Sequence, residues 1–180
     1  RDVAQAVKLA HDSGIIHRDI KPDNILMHPN GAKLTDFGLA RLSENSVRQT
    51  QTQVVMGTFP YMAPEQRLSA KKTTHQADIY ALGATLYAML SHEDPTELYD
   101  QTAHRHMFAK LHDDIAQIIA TACHTDLKQR YQNADELIAA IDQLLSDADA
   151  SIQLSKKDFS TPINLEELHR DWQNYTGNGD

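Results

Sequence analysis

Asp19, Lys21, Asn24 and Asp36 are the residues of this 180-residue sequence whose types and spacing could do chemistry. The run His17-Arg18-Asp19-Ile20-Lys21-Pro22-Asp23-Asn24 puts a carboxylate, an ammonium and a carboxamide on one short stretch. Asp36-Phe37-Gly38 supplies a second carboxylate a little downstream. Converging on one point, four such groups are what phosphoryl transfer from a metal-bound nucleotide needs, because positioning and charge neutralisation supply nearly all of its catalysis. The competing reading is a solvated charge cluster, and His-Arg-Asp alone would not separate the two.

The elements around these residues must do the positioning. Val3, Val7 and Ala10 recur at helical spacing, with Ala6 and Leu9 widening the stripe, and Gly14 stands where a left-handed cap would end a helix over about residues 1–13. Ile15-Ile16 then leads into the charged run. Ile25-Leu26-Met27 reads as a short apolar strand, Pro29-Asn30-Gly31 as a hairpin turn, and Ala32 to Thr35 as the returning strand. Asn24 and Asp36 sit at the two ends of this hairpin, so it brings their side chains side by side. Gly38 allows a sharp backbone turn, and Leu39 to Thr58 is polar and aperiodic, the pattern of a mobile loop. Gln76 to about Leu90 is apolar nearly all round and must be buried on several sides, so Asp78 near its start needs either hydrogen-bond partners or a capping role. Ile115, Ile118, Ile119 and Ala122 mark a further helix. Asn133-Ala134-Asp135-Glu136 is a capping-box start for the last one, with Leu137, Ile141 and Leu144 on its buried face.

With its hairpin, Asp36-Phe37-Gly38 and Ala63-Pro64-Glu65 in order, the charged run resembles the catalytic loop of protein kinases, in which an Asp is followed five residues later by an Asn and then by a strand, a turn and Asp-Phe-Gly. Lys21 is the mark of the serine/threonine class, and Thr50-Gln51-Thr52 with Pro64-Glu65-Gln66 resembles the bacterial members. The resemblance implies a role for each residue. Asp19 orients the substrate hydroxyl and accepts its proton, Lys21 neutralises the transferring phosphoryl, and Thr58 aligns the two. Asn24 and Asp36 hold Mg2+ or Mn2+, and Lys21, Asn24, Leu26 and Asp36 face the ATP. His17 and Phe37 support the loop structurally. Asp78 accepts bonds from the loop backbone, and Glu65 pairs with the distant Arg130. Thr50 and Thr52 match a pair of phosphorylation sites, and a phosphate there, with a charge close to −2, could be clamped by Arg18 and Arg41. The sequence departs from the family at Ser91-His92-Glu93-Asp94-Pro95, which lacks a Gly and a Pro-Phe, and at Asp126-Leu127, which replaces an Asp-Pro.

Composition narrows the class. With 41% hydrophobic and 23% charged residues the chain suits one soluble globular domain, and a lone cysteine, Cys123, excludes a disulfide scaffold and favours an intracellular setting. The net charge of −8 argues against nonspecific nucleic-acid binding, which needs a basic surface. Half of it comes from the stretch after Leu145, where seven acidic residues face Lys156, Lys157 and Arg170. The longest apolar run, Ile79 to Leu90, is about 12 residues, too short to span a bilayer. None of the ten histidines shows metal-ligand spacing.

The expectation is therefore a mainly α, protein-kinase-like C-terminal lobe with a small β-hairpin over residues 1–145, followed by an acidic polar tail or linker at 146–180, in which Thr161-Pro162 could open a short helix. The N-terminal lobe is absent: none of the seven glycines falls in a Gly-x-Gly-x-x-Gly pattern, and no strand lysine precedes the loop. Starting at Arg1 inside a helix, the sequence reads as a fragment whose natural partner is the missing lobe. The expected setting is the cytoplasm, or the cytoplasmic part of a membrane-anchored kinase. Expected substrates are proteins bearing Ser or Thr, with no nucleic acid. The alternative is a catalytically silent lobe that binds a peptide or a partner.

Overall fold

A computed structural model describes residues 1–37, 59–69, 73–100 and 102–158. The fold is mostly helical, with one two-stranded antiparallel sheet. Helix α1 (Asp2–Asp12) begins with an acidic residue in its first turn and ends with His11 in its last, both favourable to the helix dipole. Its end is a Schellman turn: Gly14, at φ +73°, donates to the His11 carbonyl at 2.9 Å, and Ile15 donates to that of Ala10 at 2.9 Å. The face that α1 buries is set by Ala4 and Val7, with Val3 and Ala6 beside them. Leu9, expected on that stripe, is 69% exposed, because it falls on the opposite side of the helix from Ala4.

After the charged run and a single 3-10 turn (Pro22–Asn24) come strands β1 (Ile25–His28) and β2 (Gly31–Leu34), paired from Ile25 with Leu34 to His28 with Gly31. The two-residue connection is Pro29-Asn30. Gly31, at φ +108°, is required twice over, since a side-chain carbon there would also strike the Asp2 carboxylate, which accepts the Ala32 N–H at 3.1 Å. Leu34 is buried under α1, whereas Leu26 and Met27 of the apolar strand are exposed. A 3-10 turn (Phe59–Tyr61) precedes the short helix α2 (Pro64–Leu68), which starts on a proline whose missing N–H needs no partner.

The centre is α3 (Gln76–Ser91), buried along one continuous run from Gln76 to Thr85. It packs against α5 (Asp113–Ala122), reached after the single-turn helix α4 (His104–Met107). Gly83 makes this crossing possible: a side-chain carbon there would lie 2.7 Å from Ala122 Cβ and 2.8 Å from Cys123 Sγ. Two apolar clusters flank α3. One joins Ala4, Val7, Ile20 and Leu34 to Ile79, Leu82, Ile118 and Leu137. The other joins Ala63, Tyr80, Ala84 and Tyr87 to Leu98, Met107, Ile119 and Cys123. Where the resembled family has a glycine after this helix, His92 takes the left-handed conformation itself, at φ +58°.

The last helix, α6 (Ala134–Asp158), is capped by Asn133, whose side chain accepts the Glu136 N–H at 3.0 Å. Glu136 reaches back to the N–H of Gln132, one residue beyond the capping-box partner. The stretch from Ser146, expected as a polar tail or linker, begins as helix, because α6 continues to Asp158. Arg1–Leu144 forms one compact unit and a second begins at Leu145. Thr161-Pro162 lies outside the described residues. Among the described residues no helix is long and apolar enough to cross a membrane.

Candidate active site

The charged run is anchored from below by a buried carboxylate. Asp78, fully buried on α3, accepts the Arg18 N–H on Oδ1 at 2.7 Å and the His17 N–H on Oδ2 at 2.8 Å. A buried charge needs this kind of satisfaction, and the capping role considered for Asp78 falls away, since no side-chain cap starts α3. His11 Nε2 donates a third bond to Asp78 Oδ2 at 2.8 Å.

His17 ties the loop to the hairpin. Its Nε2 donates to the Thr35 carbonyl at 2.8 Å, which fixes the tautomer and leaves Nδ1 to accept the Asp19 N–H at 3.3 Å. Its ring meets that of Phe37 edge to face, centroids 4.6 Å apart. Thr35 in turn donates its N–H to the Asn24 carbonyl at 2.9 Å, extending the hairpin by one pair, so that Asp36 follows immediately beyond Asn24.

Asp19, Lys21 and Asn24 come together as expected. Asn24 is buried and spends its amide hydrogens on the Asp19 carbonyl at 2.7 Å and on Asp19 Oδ2 at 3.1 Å. Lys21 Nζ lies 3.6 Å from the same Oδ2. The other oxygen, Asp19 Oδ1, is buried with no hydrogen-bond partner among the described residues. The Asp19 side chain as a whole is 31% exposed, so the carboxylate meets solvent while this one oxygen still lacks a donor. With its nitrogen committed, the Asn24 amide can offer only its oxygen to anything else. The exposed Asp36 carboxylate, just past the other strand of the hairpin, offers a second oxygen. Oxygen donors of this kind suit Mg2+, which takes one or two from protein and keeps its other positions for water and phosphate. Asp36 also has φ +61°, a conformation that strains a residue with a side chain.

Further out, Glu65 and Arg130 form a bidentate pair at 2.6 and 3.1 Å. The Arg130 side chain is fully buried. It also donates to the carbonyls of His124 and Gln76, both at 2.9 Å, and lies over the Tyr80 ring. Leu26, expected against the nucleotide, is exposed on β1. Gly38, Arg41, Thr50, Thr52 and Thr58 lie outside the described residues.

The roles of two residues escaped the sequence reading. His11 continues the buried stripe of Ala4 and Val7 at helical spacing, and a polar residue there was a signal that it needs a partner. Gln66, whose Nε2 donates to the Arg18 carbonyl at 2.8 Å, entered the sequence reading only within Pro64-Glu65-Gln66, with no partner assigned to it.

Comparison with known proteins agrees with this architecture. The chain belongs to the protein kinase domain family, whose match covers residues 1–153. It is 33% identical to serine/threonine-protein kinase PknB of Mycobacterium leprae over 178 aligned residues, covering 86% of this chain and 28% of that protein. It is also 36% identical to PknB of Mycobacterium tuberculosis over 154 residues, 77% of this chain and 24% of that protein. A shorter match to PknB of Mycolicibacterium smegmatis is 44% identical over 96 residues, 52% of this chain and 15% of that protein. The chain thus spans no more than 28% of the length of these relatives.

Proposed function

We propose that this chain is the larger C-terminal lobe of a cytoplasmic serine/threonine protein kinase. Joined to a nucleotide-binding lobe elsewhere in its parent, it would transfer the terminal phosphoryl group of ATP to Ser or Thr hydroxyls of proteins. The observation that carries this reading is the divided state of Asp19. One oxygen is tied to Asn24 and Lys21, and the other has no hydrogen-bond partner among the described residues.

In this reading the Asp19 carboxylate receives the substrate hydroxyl, orients it toward the phosphorus and takes its proton as the new bond forms. Lys21 balances charge on the phosphoryl oxygens as they move. Asn24 and Asp36 would hold Mg2+, which when bound neutralises the phosphates. Thr58 aligns Asp19 with Lys21, and Leu26 lines the nucleotide side. Phosphates on Thr50 or Thr52 would be gripped by Arg18 and Arg41, ordering the segment between Gly38 and Thr58. The first unit is the kinase lobe, and the residues after it carry none of this chemistry.

The test is Asp19→Asn in the intact parent protein, which keeps the bond to Asn24 within reach but removes the base. Phosphate transfer to a Ser/Thr peptide should fall about 1,000-fold, with the thermal unfolding midpoint unchanged. Undiminished turnover would refute the assignment. A wild-type protein that folds and binds peptide without transferring phosphate would favour the silent binding lobe.

A further inference from the structure

Arg18 and Asp19 share the peptide unit that aims the Asp19 side chain. Arg18 is at φ +70°, a left-handed conformation that a residue with a side chain adopts only when its surroundings enforce it. The preceding unit is secured by Asp78, which takes the Arg18 N–H at 2.7 Å. The Arg18–Asp19 unit itself has a single long bond on its N–H side, 3.3 Å to His17 Nδ1. On its oxygen side stands Gln66, whose amide nitrogen is 2.8 Å from the Arg18 carbonyl. A backbone carbonyl only accepts, so the Gln66 amide must present its NH2 group, and a carboxylate or an apolar side chain of the same length cannot replace it.

Gln66 is well placed to act as a fixed post. It follows Glu65, whose carboxylate is locked in the bidentate pair with buried Arg130. Its own N–H is bonded to the Ala63 carbonyl at 3.0 Å, and Ala63 is fully buried. The strained residue Arg18 is therefore held on both sides by two elements, α3 through Asp78 at its N–H and α2 through Gln66 at its carbonyl.

We propose that Gln66 is a positioning residue for Asp19: its amide clamps the Arg18–Asp19 peptide in the orientation that points the carboxylate at the substrate hydroxyl. The proposal rests on the role given to Asp19 above. It makes the seating of α2, which follows the segment carrying Thr50, Thr52 and Thr58, a condition for a correctly aimed base. Without the amide, the strained unit loses its short bond at the carbonyl while the bond at its N–H stays long, so that it loosens and Asp19 shifts within the grip of Asn24.

The experiment compares Gln66→Glu and Gln66→Met with wild type in the intact parent protein, by steady-state kinetics and by amide hydrogen exchange across residues 17–19. We expect kcat to fall about 10- to 100-fold, the size of a small misplacement of a reacting group, with KM for ATP little changed. Exchange at 17–19 should quicken about tenfold as the unit opens locally, while exchange in α3 stays put. A purely structural role would instead speed exchange throughout α2 and α3 and lower the unfolding midpoint. Wild-type kcat and wild-type exchange in both variants overturn the proposal. If the wild-type protein transfers no phosphate, the reading of the site fails, and exchange alone judges the clamp: faster in the variants keeps it, unchanged ends it.

Discussion

Asp78 takes three donors on two oxygens, and each comes from a different place: the backbone of His17, the backbone of Arg18 and the ring of His11. A fully buried carboxylate with that many charge-assisted bonds stabilises the fold as well as the loop, since each such bond contributes roughly 1.5–3 kcal/mol. Asp78→Asn keeps the shape but turns one acceptor into an NH2 group facing an N–H or a ring donor. The expected outcome is a loss of about 2–4 kcal/mol in unfolding free energy, read from urea denaturation as a lower midpoint with an unchanged slope. A loss within a few tenths of a kcal/mol would show that the loop is held by other means. The Glu65–Arg130 pair follows the same logic on a larger scale. Arg130 uses Nε, Nη1 and Nη2 at once, a fork that lysine cannot reproduce, so the guanidinium joins α2, the start of α3 and the turn before α6 at one point. Cys123 is the opposite kind of residue. Burial pushes its thiol well above the ordinary range and its Sγ donates to the Tyr80 carbonyl at 3.6 Å, so it serves packing and not reactivity.

The helix α3 works because of what is missing from it. Gly83 lets Ala122 and Cys123 of the α5 end approach the α3 backbone, and an added methyl at 2.7–2.8 Å from both has backbone-anchored atoms to displace. Gly83→Ala should therefore cost about 1–3 kcal/mol despite the better helix propensity of alanine, because overpacking outweighs a gain of about 1 kcal/mol. Gly83→Ala combined with Ala122→Gly should recover part of the loss, and the double-mutant cycle in urea measures it. Additive losses would mean that the two helices do not meet there. Much at this scale was readable from the sequence because it follows from periodicity and turn chemistry: the hairpin after Asn24, the all-round apolar α3, the cap at Asn133. Leu9 was misplaced because Ala, Val and Leu fill both sides of α1, and only the position of Leu34 and Ile20 decides which side is inward. The reach of α6 to Asp158 was hidden by acidic composition, which reads as tail or as solvated helix alike. The spacing of His11 signals that it needs a partner without naming Asp78, and the bond of Gln66 and the strained φ of Arg18 and Asp36 depend on contacts distant in sequence that no local pattern encodes.

The two apolar clusters of the first unit are built from the same two helices. Ile79 and Leu82 of α3 face one, Tyr80 and Ala84 face the other; on α5 Ile118 and Ala122 belong to the first and Ile119 to the second. Neither cluster can be dismantled without exposing one side of α3, and a helix that is apolar all round has no stable half-buried state in water. The site spans both clusters: Ile20, one residue from Asp19, is in the first, and Ala63, beside the Glu65 and Gln66 posts, is in the second. The charged run is thus held only when both are intact, which is a reason for one cooperative unit where two small cores would otherwise melt apart. Val7→Ala in the first cluster and Leu98→Ala in the second test this. Each side chain is fully buried, and truncation should cost about 1–2 kcal/mol for the valine and 2–5 kcal/mol for the leucine. Hydrogen exchange against urea, followed separately for peptides from α1 and from the Leu98–Phe108 segment, should give coincident midpoints in the wild type. Both midpoints should move together in each variant. If Leu98→Ala lowers the midpoint of its own segment and leaves α1 where it was, the clusters are independent, and the loop at their junction would owe its geometry to its hydrogen bonds, those to Asp78 and Gln66 among them.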